Sequence, residues 1–246
     1  MVEPRSTGAH RGDVLWWLVG NVASNGKTVN SKAVDSVSDD LWTVMRSATA
    51  VRRYRDEPVP DDVLERCLLA ASWAPSGGNG QPWKFVVLDS PELRSLITSA
   101  AQQTWEVMKD FYRLPEVGEG ADDPKSRTLR TMAEHMRVGG GAPKLVLFCV
   151  QPQRGTTELQ QGGSIFPAVQ NFLLAARAQG LGAAITLWQD ACDAELRGLV
   201  GIPKDWKVAT LLTVGWPRGG HRHVRRKPLA DVAAVNHWGR RWSASP

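Results

Sequence analysis

Apolar and polar positions along the chain alternate between the periods of helices and strands. Leu41, Val44 and Met45 fall on one face of a short helix over Asp39–Ser47. A second helix opens at Asp61 and Asp62, where negative charge suits the helix dipole, and carries Val63, Leu64, Cys67, Leu68 and Ala71 at helical spacing. Lys84–Asp89 reads as a buried strand, and Pro91 starts a helix running to about Tyr112. A helix over Arg127–Val138 and a strand over Pro143–Val150 follow, separated by Gly139–Gly141. Ser164 can cap a helix whose interior, Ile165 to Ala178, is apolar nearly all round, and such a helix is buried on most sides. Strands over Ala183–Trp188 and Lys207–Gly215 flank a short helix at Asp193–Val200. The class is therefore α/β or α+β, with no internal repeat and no linker between two cores.

Between the second helix and the first strand lies Ala-Pro-Ser-Gly-Gly-Asn-Gly-Gln-Pro-Trp, residues 74–83. Its glycines permit positive φ or close approach to a flat ligand. Ser76, Asn79 and Gln81 offer hydrogen-bonding groups. The same composition suits an ordinary helix-to-strand turn.

Residues 1–38 are polar and irregular except for Val14–Val19, and read as a flexible extension before a domain over 39–246. An arm packing Trp16 and Trp17 on a partner is the alternative. The acidic, Gly-rich 114–125 reads as a lid or as a plain surface insertion. The longest apolar run near the N-terminus is too short to span a membrane, so the expected compartment is the cytoplasm.

At 246 residues and 27.0 kDa the chain suits one large domain or two small ones. Eleven tryptophans against two tyrosines suit a well-filled core, with some indoles left to line a pocket. Cys67, Cys149 and Cys192 sit in apolar stretches and read as buried free thiols. The net charge of +5 fits anionic ligands or nucleic acid. Aromatic interleaving and a recognised module are missing from the basic stretch Arg218–Lys227, which argues against nucleic acid.

The usual catalytic signatures are missing. Gly180-Leu181-Gly182 follows a helix and precedes a strand, the reverse of a dinucleotide fingerprint. No Walker loop, GxSxG elbow or metal-ligand spacing of histidines is present. An enzyme of this kind takes its chemistry from an organic cofactor. Arg52 and Arg53, with Arg225, Arg226 and Lys227, form two basic clusters that can converge on a phosphate or remain solvated.

Several stretches in order resemble the FMN-dependent nitroreductase family, from about residue 39 to 240. They are Val51-Arg52-Arg53-Tyr54 with Asp56–Pro60, residues 74–83, Ala142–Val146, Ser164–Gly182, Gly201–Pro203, Val214–Pro217 and Lys227–Leu229. The resemblance implies an α+β fold, with a mixed or antiparallel sheet of four to five strands flanked by helices. It implies an intertwined homodimer with FMN at the subunit interface. It also implies a two-step reaction: NADH or NADPH reduces the flavin, and a small aromatic or quinone-like acceptor then reoxidises it.

By the same resemblance, Arg52 stands near the flavin N1–C2 carbonyl, with Arg53 beside it. Pro75, Ser76, Gly77 and Asn79 contact the partner's FMN, and Gln81 lies near the ring or holds the loop. Arg137 reaches the cofactor from its helix end. Ile185, Thr186 and Leu187 pass the ring edge, and Arg225 and Arg226 hold the phosphate. The flavin carries the chemistry, so no catalytic side chain and no metal is expected. One departure stands out: the family often has Arg and Ser before Val51, where this chain has Ala48, Thr49 and Ala50. A phosphate-binding arginine is missing there, and Arg46 or the 225–227 cluster can replace it. An FMN-binding carrier with little reductase turnover is the second reading.

Overall fold

The computed structural model describes residues 37–38, 40–112 and 124–243. Most of the N-terminal extension and of the acidic 114–125 segment therefore lies outside the described residues. The helices are α1 (Leu41–Ser47), α2 (Asp61–Ser72), α3 (Pro91–Tyr112), α4 (Pro124–Arg137), α5 (Glu158–Ala178) and α6 (Asp193–Val200). The strands are β1 (Trp83–Val87), β2 (Lys144–Val150), β3 (Gly182–Thr186) and β4 (Lys207–Gly215). The strands form one sheet in the order β1-β2-β4-β3, antiparallel at every step. This is the α+β class expected, with the sheet antiparallel rather than mixed.

Each face of the sheet carries its own core, because side chains alternate along a strand. Val146, Phe148 and Val150 of β2 face α2 and α5, meeting Leu64, Cys67, Ile165, Val169 and Phe172. Leu145, Leu147 and Cys149 face the other way, toward Ile97 and Met108 of α3, Met132 and Met136 of α4, and Leu196 of α6. Cys67 and Cys149 are buried as expected, Cys192 is half-buried, and all three are free thiols.

Several boundaries differ from the sequence expectation for identifiable reasons. Helix α5 begins at Glu158 rather than Ser164. Thr157 and Gln160 form a reciprocal capping box there, which satisfies the first free N–H groups. Ser164 is thus a buried interior residue. Helix α5 also leaves Leu159 and Phe166 exposed, so it is less enclosed than its composition suggested. Helix α4 begins at Pro124, taking the end of the segment read as loop; proline suits a first helical turn. Strand β1 is a half-covered edge strand rather than a buried one. Strand β3 stops at Thr186, and Trp188–Ala191 forms a 3-10 turn. In α1 only Val44 of the three apolar residues is buried, while Leu41 and Met45 face outward.

The segment after α1 is fixed on the free edge of β3. Ala50 bridges to Ala183 in parallel, and the Val51 N–H donates to the Ala183 carbonyl at 3.0 Å. This approach needs glycine at 182, where a Cβ would come within 2.4 Å of the Val51 side chain. Tyr54 then anchors the segment from below. Its hydroxyl donates to the Val51 carbonyl at 2.5 Å and lies 2.9 Å from Thr213 Oγ1. The backbone around Arg52 is therefore held by the sheet.

Candidate active site

A cavity of about 600 Å³ opens where the end of β3 meets α3 and α4. That volume lies in the range of small-molecule sites. Ile185, Thr186 and Leu187 form one side, continuing into Trp188. Met108, Met132 and Met136 form much of the other, so three of the five methionines in the chain face one cavity. Methionine is flexible and polarizable and packs well on aromatic faces. A flat aromatic ligand fits this wall.

Arg52 reaches the cavity from the segment on the β3 edge. Among the described residues no carboxylate pairs with it. Burial lowers its pKa from the usual arginine value, partly opposed by Tyr54. An unpaired guanidinium set into an apolar wall is costly unless a ligand supplies the missing acceptor.

His135 was not among the residues expected at a site, yet it lines the same cavity. It is 4% exposed, and its ring lies 5.0 Å from the Trp188 ring at a tilt of 54°. Desolvation, and then the charge of Arg52, push its pKa down to about 4, so the imidazole is neutral at ordinary pH. Trp188 itself is both cavity wall and core, at 2% exposure. The backbone after α4 makes room for this pair: Gly140 has φ of 90°, and a Cβ there would press within 2.6 Å of Thr213.

The other expected residues lie elsewhere on this chain. Pro75, Gly77, Asn79 and Gln81 are exposed, and Ser76 is half-exposed. Their loop is tightly shaped: Gly78, Asn79 and Gln81 all have positive φ, and Ser76 Oγ accepts from the Gln81 N–H at 2.9 Å. Arg53 is exposed, and its carbonyl accepts from the Arg218 N–H at 3.0 Å. Arg137 is paired with Glu134 at 2.9 Å and does not line the cavity. Arg225 and Arg226 are exposed beyond Val224, whose N–H donates to the Arg46 carbonyl at 2.7 Å. That bond places the C-terminal basic pair close to α1 and to the uncharged 48–50 stretch.

Residues 45–216 match the model of the Nitroreductase family. The chain belongs to the nitroreductase family. Among curated members, it is 29% identical to 5,6-dimethylbenzimidazole synthase of Rhodospirillum rubrum over 218 residues, covering 84% of this chain and 92% of that one. Among solved family structures, an oxidised iodotyrosine deiodinase bound to FMN and 3-iodo-L-tyrosine superposes with a TM-score of 0.59. It is 24% identical and covers 80% of this chain and 98% of its own. The NADPH:FMN oxidoreductase of Vibrio harveyi complexed with NAD+ has a TM-score of 0.61 at 18% identity, with coverage of 81% and 78%. These structures share the nitroreductase-like fold with this chain. No helix among its described residues is long and apolar enough to cross a membrane.

Proposed function

We propose that this protein is an FMN-dependent NAD(P)H oxidoreductase that reduces small, flat, electron-poor acceptors such as nitroaromatics or quinones in the cytoplasm. The observation that carries the reading is Arg52, an unpaired and largely desolvated cation at the edge of a Met- and Trp-walled cavity. The residues present fit the cofactor in two respects. The apolar walls suit its ring, and Arg52 supplies the cation that a ring gaining negative charge on reduction requires.

Bound FMN would supply hydride and electron transfer between the nicotinamide and the acceptor. The chain's part is to hold, orient and shield. Arg52 fixes a positive charge at the cavity edge and so favours the reduced form. Ile185–Leu187 present one wall, and the three methionines exclude water from the other. The Val224–Arg46 backbone bond, which brings the 225–226 stretch beside α1, supports Arg46, Arg225 and Arg226 as the cations that hold the phosphate where residues 48–50 supply none.

The reading includes a homodimer in which the 75–81 loop is lent to the partner's site. Support comes from the apolar side chains left exposed on this chain. Leu41 and Trp42 on α1, Phe166 on α5, and Trp238 near the C-terminus all face outward, Trp238 at 101% of its reference exposure. Large apolar side chains this exposed suit an association surface where they adjoin one another.

The uncharged Ala48–Ala50 stretch favours a second reading, an FMN carrier with little turnover. Anaerobic stopped-flow mixing separates the two. Bleaching of bound flavin by NADH or NADPH supports the reductase. Failure of both donors to bleach it leaves only the carrier.

A further inference from the structure

The C-terminal end of α4 packs against the Arg52–Tyr54 segment at the edge of the cavity. The rings of His135 and Tyr54 lie 6.4 Å apart, tilted by 45°. Arg52 and His135 line the cavity, while their chain neighbours Arg53 and Glu134 are exposed to water. Three guanidinium groups gather around this Glu134. Arg137 pairs with it through two hydrogen bonds, at 2.9 and 3.1 Å. That bond first, and then the charges of Arg137, Arg53 and Arg218, hold the Glu134 carboxyl below its usual range, against its desolvation. The main chain fixes the cluster further. Arg218 Nε donates to the Tyr54 carbonyl at 2.7 Å, and the Arg218 N–H donates to the Arg53 carbonyl at 3.0 Å.

Among the described residues no carboxylate forms an ion pair with Arg53 or Arg218. Three cations therefore share one carboxylate, beside a cavity whose own cation, Arg52, is also unpaired. Like charges held together repel one another, and an anion bound among them relieves that repulsion. Arg218 uses Nε on Tyr54, which leaves the outer fork of its guanidinium for such an anion. Guanidinium forks suit phosphate, which accepts two parallel hydrogen bonds.

The reaction narrows the source of the phosphate. In the reductase reading the FMN phosphate has Arg46, Arg225 and Arg226, and the acceptors are uncharged. The nicotinamide donor remains. Its ring enters the cavity to reach the flavin, while its phosphates cannot follow into a wall of methionine and tryptophan without losing their hydration. The rim beside Arg52 offers that charged tail both cations and water.

We propose that Arg53, Arg137 and Arg218 form a docking site at the cavity rim for the phosphate groups of the nicotinamide dinucleotide that reduces the flavin. The proposal rests on the reductase reading of the site.

The test follows anaerobic bleaching of the FMN-loaded protein by three donors: NADPH, NADH and 1-benzyl-1,4-dihydronicotinamide, which carries no phosphate. The readout is the half-saturating concentration of each dinucleotide relative to that of the phosphate-free donor, a ratio that a general loss of activity does not move. Arg53→Gln with Arg218→Gln should raise this ratio about tenfold or more. Added salt should raise it in wild type, and Arg53→Lys with Arg218→Lys, which keeps both charges, should recover part of the loss. A loss confined to NADPH assigns the cluster to the 2′-phosphate, and an equal loss for NADPH and NADH assigns it to the pyrophosphate. Half-saturation that moves by the same factor for all three donors overturns the proposal, since it marks the arginines as supports of the Arg52 segment. Half-saturation that moves for none overturns it as well. Wild type that holds no FMN, or whose flavin neither dinucleotide bleaches, sinks the reductase reading and this proposal with it. That failure is told apart from the others by coming before any variant is compared.

Discussion

The Val224 N–H donates to the Arg46 carbonyl at 2.7 Å, joining the last turn of α1 to the basic stretch near the C-terminus. Arg225 and Arg226 follow directly, and both are exposed. The missing charge at Ala48–Ala50 thus has cations near it in space that are far away in sequence. A hydrogen bond to a charged group is worth about 1.5–3 kcal/mol, and a tenfold change in affinity is about 1.4 kcal/mol. The double substitution Arg225→Ala and Arg226→Ala should weaken FMN binding about tenfold or more. Riboflavin, which lacks the phosphate, should bind both forms equally. Parallel titrations with the two flavins check this.

Arg52→Leu should act on two measurements in opposite directions. The apoprotein should become more stable, because a half-buried unpaired cation is replaced by an apolar side chain. The flavin it binds should be harder to reduce, since the positive charge near the reduced ring is gone. Thermal melts of the apoprotein and a spectroscopic redox titration of the FMN-loaded protein check the pair.

Tyr54→Phe should destabilise the fold by about 1–2 kcal/mol. The lost hydroxyl donates to the Val51 carbonyl and meets Thr213, which ties the Arg52 segment to β4. Urea unfolding should show a lower midpoint with an unchanged slope.

Acid should destabilise the protein through its buried histidines. His135 titrates at about 4 in the fold, because of burial and then Arg52, against about 6.5 when unfolded. His221, buried beside the Gly180 carbonyl, is also shifted down, by desolvation first and Arg177 second. Between these values the unfolded chain binds more protons, so stability is complete above about pH 6.5 and falls as pH drops toward 4. In His135→Phe the fall over that window should be shallower. Melting temperatures measured from pH 7 to pH 4 check the slope.

The strands and most helices were legible because their apolar runs face two cores, so the period of each run survives in the sequence. The start of α5 was also written there, as Thr157 and Gln160 at capping-box spacing. It was obscured by Gly162 and Gly163, residues that disfavour a helix interior. Arg52 was legible through the residues around it, and Ile185–Leu187 through the strand that ends beside the cavity. His135 was not. A single histidine on an amphipathic helix is ordinary until its neighbours are known, and Trp188 and Arg52 come from two other parts of the chain. The link from Val224 to Arg46 was equally hidden, since it depends on where the C-terminal segment turns back.

Whether this chain is built around a flavin is tested most directly by the absorption spectrum of the purified protein. A flavin-holding chain purifies as a yellow protein with the bands of bound flavin and releases FMN on denaturation. A colourless protein that FMN cannot reconstitute would contradict it.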